Sequence, residues 1–471
     1  MGLGPGDAVA IVMPMTYEAL VAYLGIVVLG GVVVSIADSF APEEIATRME
    51  IANASWAVTQ HASVRAGKVL PMYEKVAAAG VPSAIVVAGA PGPELRESDI
   101  WWEDLLSADT TLQFHISEAS AATNILFSSG TTGEPKAIPW THLTPIKGAM
   151  DGHFHQDIHP GDVVAWPTNL GWMMGPWLIY AALINDAAVA LCTDVPTGSD
   201  FVRFVEEAGV SMLGVVPSLV AAWRAGDLLD DVDWSGIHAF SSTGEASNPD
   251  DMQYLMAAAG GRPVIEYCGG TEIGGGYVTG TMVQPAIAGT FSTPALGIDL
   301  LLVEEGKIAD EGEVFLVPPS IGLSTTLLNR DHAEVYYHDL PDLGLPLRRH
   351  GDHMERMPSG YWRALGRVDD TMNLGGIKIS SAELERAASG VGGVAEVAAV
   401  AVPPAGGGPE RLVIYAVPES GAEPNAATLR AEIQAAIRQH LNPLFTFDDV
   451  VLIAALPRTA SAKAVSYTHL T

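Results

Sequence analysis

The chain has 471 residues, 48 % of them hydrophobic and 17 % charged, with 49 glycines and 31 prolines spread along it. That length and mix exclude a small disulfide-stapled module and a disordered polymer, and at about 150 residues per domain they suggest roughly three folding units. Acidic residues outnumber basic ones 55 to 24, for a net charge of -31, so non-specific binding to nucleic acid or anionic lipid is excluded on electrostatic grounds.

In chain order, Val9 to Met13, Tyr17 to Leu29 and Val32 to Ile36 alternate apolar run, helical period and apolar run, which is the pattern of a βαβ unit. Ala19 to Ile36 is long enough without a charge to raise a membrane span. Gly30-Gly31 interrupts it, however, and the β-branched Val32 to Val34 that follow read as a buried strand. No integral membrane span is expected, and the opening residues lack the basic stretch of a signal peptide. The two cysteines, Cys192 and Cys268, make no C-x-x-C motif and fit a reduced, cytoplasmic protein.

The same rhythm returns as helix (Phe201 to Glu207), strand (Met212 to Val216), helix (Leu219 to Trp223), strand (Ile237 to Ser241) and helix (Asp250 to Ala258), predicting a helix-covered, mainly parallel sheet. Around Gly289 to Pro319 the style changes to hairpins (Asp299 to Val303, Gly312 to Val317), an antiparallel β subdomain. A further unit begins after Arg367, with helices at Ala382 to Ala388 and Ala426 to His440. Its strands are expected at Val394 to Val402, Arg411 to Val417 and Asp449 to Ala454, which makes a small α+β domain. The expected division is 1–368 for an N-terminal domain and 369–471 for a C-terminal one.

The strongest local signal is Ser128-Ser129-Gly130-Thr131-Thr132-Gly133-Glu134-Pro135-Lys136 after the apolar Asn124 to Phe127. Small residues let backbone N–H groups approach a polyphosphate, hydroxyls add donors, and a lysine adds a point charge. The pattern is not a Walker loop, because Pro135 and Ala137 flank the lysine where Gly and Ser or Thr are needed. Taken alone, the segment reads equally well as a turn. His153, His155 and His159 with Asp151 and Asp157 contain metal-ligand types, but their spacing is irregular, in what reads as a polar connection ending at Pro160-Gly161.

Ser128 to Lys136 resembles the signature of the adenylate-forming superfamily, and four further blocks follow in that family's order. They are Ser242 to Ala246, Glu266 to Glu272, Gly351-Asp352 with Gly366 to Asp370, and Pro457 to Lys463. Pro139 to His142, Asn169 to Gly175 and Asn373 to Lys378 are most similar to the acetyl-CoA-synthetase-like branch and, within it, to plant acyl-activating enzymes. The resemblance implies a two-domain fold and an ATP-dependent, AMP-forming carboxylic acid:CoA ligase. Its implied partners are a small carboxylic acid, ATP, Mg²⁺ and CoA; oligomeric state is left open. An adenylating enzyme with a carrier-protein acceptor and an inactive nucleotide-binding relative are the alternatives.

By resemblance Ser129, Gly130, Thr131, Thr132 and Gly133 line the phosphate site with Lys136 near the β and γ groups. Gly244, Glu245 and Ala246 wall the adenine, Thr271 donates to the α-phosphate and Glu272 ligates Mg²⁺. Asp352 and Arg367 serve the ribose, Asp369 is the hinge, Gly376 and Lys378 face CoA, and Lys463 is the lysine of the first half-reaction. Within Glu266 to Glu272, assigned to nucleotide binding together with Tyr267, Cys268 stands where the family places an adenine-stacking aromatic, so stacking is either lost or moved to Tyr267. Ala462 stands where Gly is usual, and Ser466 to Thr471 do not match the family's continuation.

Gly269 stands where acetate-specific relatives place a Trp that closes the acyl pocket, which implies an open pocket walled by Trp172 and Met173. Met174 reads equally as pocket wall or core, and the expected acid is larger than propionate. Relatives also carry a substantial segment before the first strand, so a longer parent protein is expected. Three of the seven lysines, Lys136, Lys378 and Lys463, fall at positions where ATP and CoA need positive charge.

Overall fold

A computed structural model describes residues 3–65, 67–88, 94–106, 111, 114–128, 135–244, 247–368, 371–374, 377–402, 411–422, 424–440 and 446–458. The chain divides into two compact units: Met1–Leu300 with Leu316–Leu340 and Gly344–Arg348, and Leu301–Phe315 with Pro341–Leu343 and Arg349–Thr471. The expected boundary at Val368 therefore lies inside the second unit.

The first unit contains two seven-stranded sheets. One runs in the order Ile100–Trp101, Ser83–Val87, Trp56–Gln60, Ala8–Val12, Val32–Ser35, Ala122–Ser128, Lys136–Thr141, parallel except for its last pair. The other runs Ala188–Ala190, Val163–Ala165, Met212–Val215, Ala239–Ser242, Val264–Gly270, Gly275–Thr279, Thr293–Pro294, with the last two strands antiparallel. The hydrophobic runs of their inner strands follow from burial on both faces. Val9, Ile11 and Val33 enter one core cluster, while Ala10, Val12 and Val34 enter another.

The apolar stretch near the start resolves as its residues demand. A helix spans Tyr17–Val28, opened by the Thr16 hydroxyl accepting from the Ala19 N–H, and Gly30 takes a φ of +81° before the strand Val32–Ser35. Among the described residues no helix is long and apolar enough to cross a membrane.

The predicted elements from Phe201 to Ala258 appear as the helix Ser199–Glu207, strand Met212–Val215, helix Pro217–Ala225, strand Ala239–Ser242 and helix Pro249–Ala258. The polar connection expected around Asp151 is a correction. Thr144–Phe154 is a helix, with Asp151 fully buried on it, because Lys147 one turn earlier supplies the opposite charge.

A five-stranded sheet follows in the order Lys307–Ile308, Asp299–Glu304, Glu311–Val317, Arg348–Arg356, Trp362–Arg367, the expected antiparallel subdomain. A two-stranded hairpin, Thr371–Leu374 with Ile377–Ser380, precedes the terminal module. There Val394–Val402, Arg411–Pro418 and Asp449–Leu452 form a sheet, and Leu384, Leu429, Ile433 and Ile437 from the helices Ser381–Ser389 and Ala426–His440 share its core. Helix-covered, mainly parallel sheets plus a small α+β module are thus as the sequence predicts.

Candidate active site

The expected phosphate loop lies between the inner strand Ala122–Ser128 and the antiparallel edge strand Lys136–Thr141. Ser128 and Lys136 pair in register at the mouth of this hairpin, so Lys136 opens the returning strand and is held half-buried there. Ser129, Gly130, Thr131, Thr132 and Gly133 lie outside the described residues.

The strand carrying Lys136 is latched from its outer side. The Asn329 side chain accepts from the Ala137 N–H at 3.0 Å and donates to the Pro135 carbonyl at 2.9 Å, and the Leu328 N–H donates to the Ala137 carbonyl at 3.1 Å. Sequence reasoning passed over Asn329. Its only signal was an Asn-Arg-Asp run after an apolar pair, which reads as an ordinary turn.

Thr271 and Glu272 sit on the turn between Val264–Gly270 and Gly275–Thr279 in the second sheet. The Trp140 indole, on the same strand as Lys136, donates to the Thr271 carbonyl at 2.8 Å, which couples this turn to the hairpin. The Glu272 carbonyl in turn accepts from the Ser324 N–H at 2.8 Å.

Beneath the turn lies a fully buried charged network. Lys147 pairs with Asp151, whose Oδ2 also accepts from the Tyr267 hydroxyl at 2.6 Å and from the Gly276 N–H at 2.9 Å. The glycines around it are dictated by space, since a Cβ at Gly275 would meet that Oδ2 at 2.5 Å and one at Gly322 would meet the Ile273 carbonyl at 2.3 Å.

This network corrects one expectation. Tyr267 is 1 % exposed and its ring packs against Trp177, so it is committed to the core and cannot present a face to adenine. Burial and the Asp151 carboxylate push its phenol well above the ordinary value. Its backbone still borders the nucleotide motif, for its carbonyl accepts from the Thr243 hydroxyl at 2.5 Å.

Gly244 adopts a φ of +91°, a conformation that favours glycine, at the end of the strand Ala239–Ser242. Glu245 and Ala246 lie outside the described residues. Glu266, on the adjacent strand, is buried. The Ser247 hydroxyl donates to it at 2.8 Å and lies 3.1 Å from the Ser242 hydroxyl. Burial pushes the Glu266 carboxyl up to about 7, against the partial compensation of these donors.

Gly269 is the second correction. A Cβ there would lie 2.1 Å from the Gly275 carbonyl oxygen, so the facing strand fills the space that an open acyl pocket would need at that position. The register shift between Cys268 and Gly269 brings the two strands this close. Trp172 packs edge-on against Phe40, and Met173 is half-buried against the cluster of Leu126, Ile138 and Trp140. Met174 is core at 8 % exposure.

In the second unit, Asp352 and Arg367 stand opposite each other in register on neighbouring strands, and Asp352 lies 3.1 Å from the His350 ring. Lys378 stands opposite Asn373 on the following hairpin. Asp369, Gly376 and Lys463 lie outside the described residues. The three histidines do not all converge: the His153 and His159 rings meet edge-on with centroids 4.9 Å apart, each with one ring nitrogen at a backbone carbonyl, that of Ile158 and of Asp157, while His155 turns to the Gly280 carbonyl. Among the described residues no cluster of three or more His, Cys, Asp or Glu side chains could hold a metal.

Comparison with known proteins supplies the context for this arrangement. The family model of the AMP-binding enzyme matches residues 1–321, and that of the AMP-binding enzyme C-terminal domain matches residues 383–463. The probable acyl-activating enzyme 17, peroxisomal, of Arabidopsis thaliana is 48 % identical across 99 % of this chain and 67 % of its own length. Hexanoyl-CoA synthase of Cannabis sativa is 48 % identical across 98 % of this chain and 67 % of its own. The solved acetoacetyl-CoA synthetase from Streptomyces lividans superposes with a TM-score of 0.90 at 25 % identity, over 99 % of this chain and 73 % of that one.

Proposed function

The chain belongs to the AMP-binding enzyme family and is an ATP-dependent, AMP-forming carboxylic acid:CoA ligase; within that class we propose the acid and the residue roles that follow. A carboxylate oxygen attacks the α-phosphorus of ATP and pyrophosphate leaves. The CoA thiol then gives up its proton and attacks the acyl carbon, and AMP leaves. Both nucleophiles arrive with the substrates, so the protein's task is to position anions and to neutralise charge at phosphorus.

Lys136 and the loop before it hold the β and γ phosphates, and Thr271 donates to the α-phosphate. What supports this reading is the Trp140 bond to the Thr271 carbonyl, which fixes the turn of one sheet to the edge strand of the other. Glu272 is the residue that would hold Mg²⁺, offering a hard carboxylate oxygen to a hard cation. When bound, it supplies charge neutralisation between the phosphates. Gly244, with Glu245 and Ala246, walls the adenine, while Asp352 and Arg367, opposite in register, take the ribose hydroxyls. Lys463 bridges carboxylate and α-phosphate in the first step, Asp369 is the hinge, and Gly376 with Lys378 meets CoA in the second. The domains divide functionally at Val368.

The acid is larger than propionate. With Gly269 removed from the pocket argument, support comes from the half-buried Trp172 and Met173 and from 48 % identity to a hexanoyl-CoA synthase. Incubation with ATP, Mg²⁺, CoA and an acid panel, read by mass spectrometry, tests it. A medium-chain acyl-CoA with the highest kcat/KM is expected, and acetate as best substrate would overturn the acid assignment. A carrier-protein acceptor would leave no acyl-CoA, and an inactive relative would release no acid-dependent pyrophosphate. We place the enzyme in the cytoplasm, since Cys192 and Cys268 are not joined in a disulfide, which fits a reducing compartment; cell fractionation separates this from the peroxisome named for the Arabidopsis relative.

A further inference from the structure

Arg348 belongs to none of the motif blocks, and it is fully buried. Its guanidinium donates to the Ser324 hydroxyl at 2.8 Å and to the Glu272 backbone carbonyl at 3.4 Å, and its Nε reaches no acceptor. Taking a permanently charged group out of water is costly, and besides these two neutral acceptors the Glu272 carboxylate acts on it as a compensating charge. The aromatic face of Tyr336, 3.9 Å from its Cζ, offsets part of that cost.

The same ring serves a second cation. Lys136 Nζ lies 5.4 Å from the Tyr336 centroid, so two positive side chains share one buried aromatic residue on the short helix His332–Tyr337. Two like charges gathered this way repel each other; the Glu272 carboxylate offsets part of that repulsion, and a polyanion bound beside them relieves the rest. Arg348 also grips the carbonyl of Glu272, on the turn that carries Thr271.

We propose that Tyr336 and Arg348 are positioning residues for the polyphosphate of ATP. Tyr336 holds the Lys136 ammonium by its ring, and Arg348 ties that ring to the Glu272 carbonyl, so that loop lysine and turn meet the phosphates as one unit. This rests on the reading of Lys136, Thr271 and Glu272 as the phosphate site. A cation–π contact out of water contributes about 1 to 2 kcal/mol, equivalent to an affinity change of about 5- to 30-fold.

The test is equilibrium dialysis of the full chain with Mg-ATP, pyrophosphate and adenosine, alongside a thermal melt. Tyr336→Phe keeps the ring and should hold ATP within about threefold of the parent, whereas Tyr336→Leu and Arg348→Met should weaken ATP and pyrophosphate by about 5- to 30-fold and leave adenosine unchanged. Arg348→Lys keeps the charge but loses the planar stack, and should fall with Arg348→Met. The proposal is overturned if Tyr336→Leu binds ATP as well as Tyr336→Phe does, or if ATP and adenosine weaken together. Should Arg348→Met not fold, the Phe and Leu variants at Tyr336 decide alone. Because no acid or CoA is present, a failed acid panel leaves this measurement intact, and a failed dialysis leaves the ligase reading intact.

Discussion

Replacing Glu266 by Gln should stabilise the protein at alkaline pH and flatten its pH dependence. The carboxyl is buried beside the proposed adenine wall and is pushed up to about 7 in the folded chain, from an ordinary value of 4.5. The folded state therefore holds this proton more tightly than the unfolded chain does. Stability from this group is fully present below the unfolded value and is lost as pH rises through the folded one. The shift corresponds to a total of about 3 kcal/mol, of which about 2 kcal/mol falls between about pH 5.5 and about pH 8.5. Urea unfolding at four pH values across that window measures it. The parent should lose stability steadily relative to Glu266→Gln, which cannot ionise and still fills the space beside Ser247 and Ser242. Parallel curves for the two proteins would mean that Glu266 is ionised throughout and that burial does not govern it.

Three further outcomes are expected. Lys147→Met leaves Asp151 buried with only the Tyr267 and Gly276 donors, and should cost about 3 to 5 kcal/mol by denaturant titration; adding Asp151→Asn should restore much of it. Gly269→Ala must push back the Gly275 carbonyl, so it should lower stability by about 1 to 3 kcal/mol without narrowing the acid range; a selective loss of long acids would reinstate the open pocket. Lys463→Ala should slow acyl-AMP formation by roughly 10²- to 10³-fold in single-turnover assays while sparing thioester formation from supplied acyl-AMP; equal loss in both steps would make it structural.

The β-branched strands and amphipathic helices of the first unit were legible because burial on two faces writes itself into local periodicity, as at Val9 to Met13 or Phe201 to Glu207. The motif blocks were legible because phosphate chemistry needs small residues and a lysine at fixed spacing. Asn329, Arg348 and Asp151 were not. Each acts across 75 or more residues of sequence on a backbone group or a ring, as in the bonds Asn329 to Pro135, Arg348 to Glu272 and Tyr267 to Asp151, and no local pattern records such a partner. Gly269 misled for a related reason: a glycine reads as spare volume in one dimension, whereas here it marks the closest approach of two strands.

The latch on Ala137 bears on how this enzyme fails. Both backbone groups of that residue are taken by Leu328 and Asn329, which stand in for the next strand of a sheet that otherwise ends there. The strand that carries Lys136 is thus held to this segment by a few polar bonds and by a small apolar cluster of Leu327 and Tyr336 with Leu126, Ile138 and Trp140, while the strands behind it rest on a much larger apolar core. On warming, the segment should detach first, and ATP turnover should be lost reversibly at temperatures where the sheets remain intact.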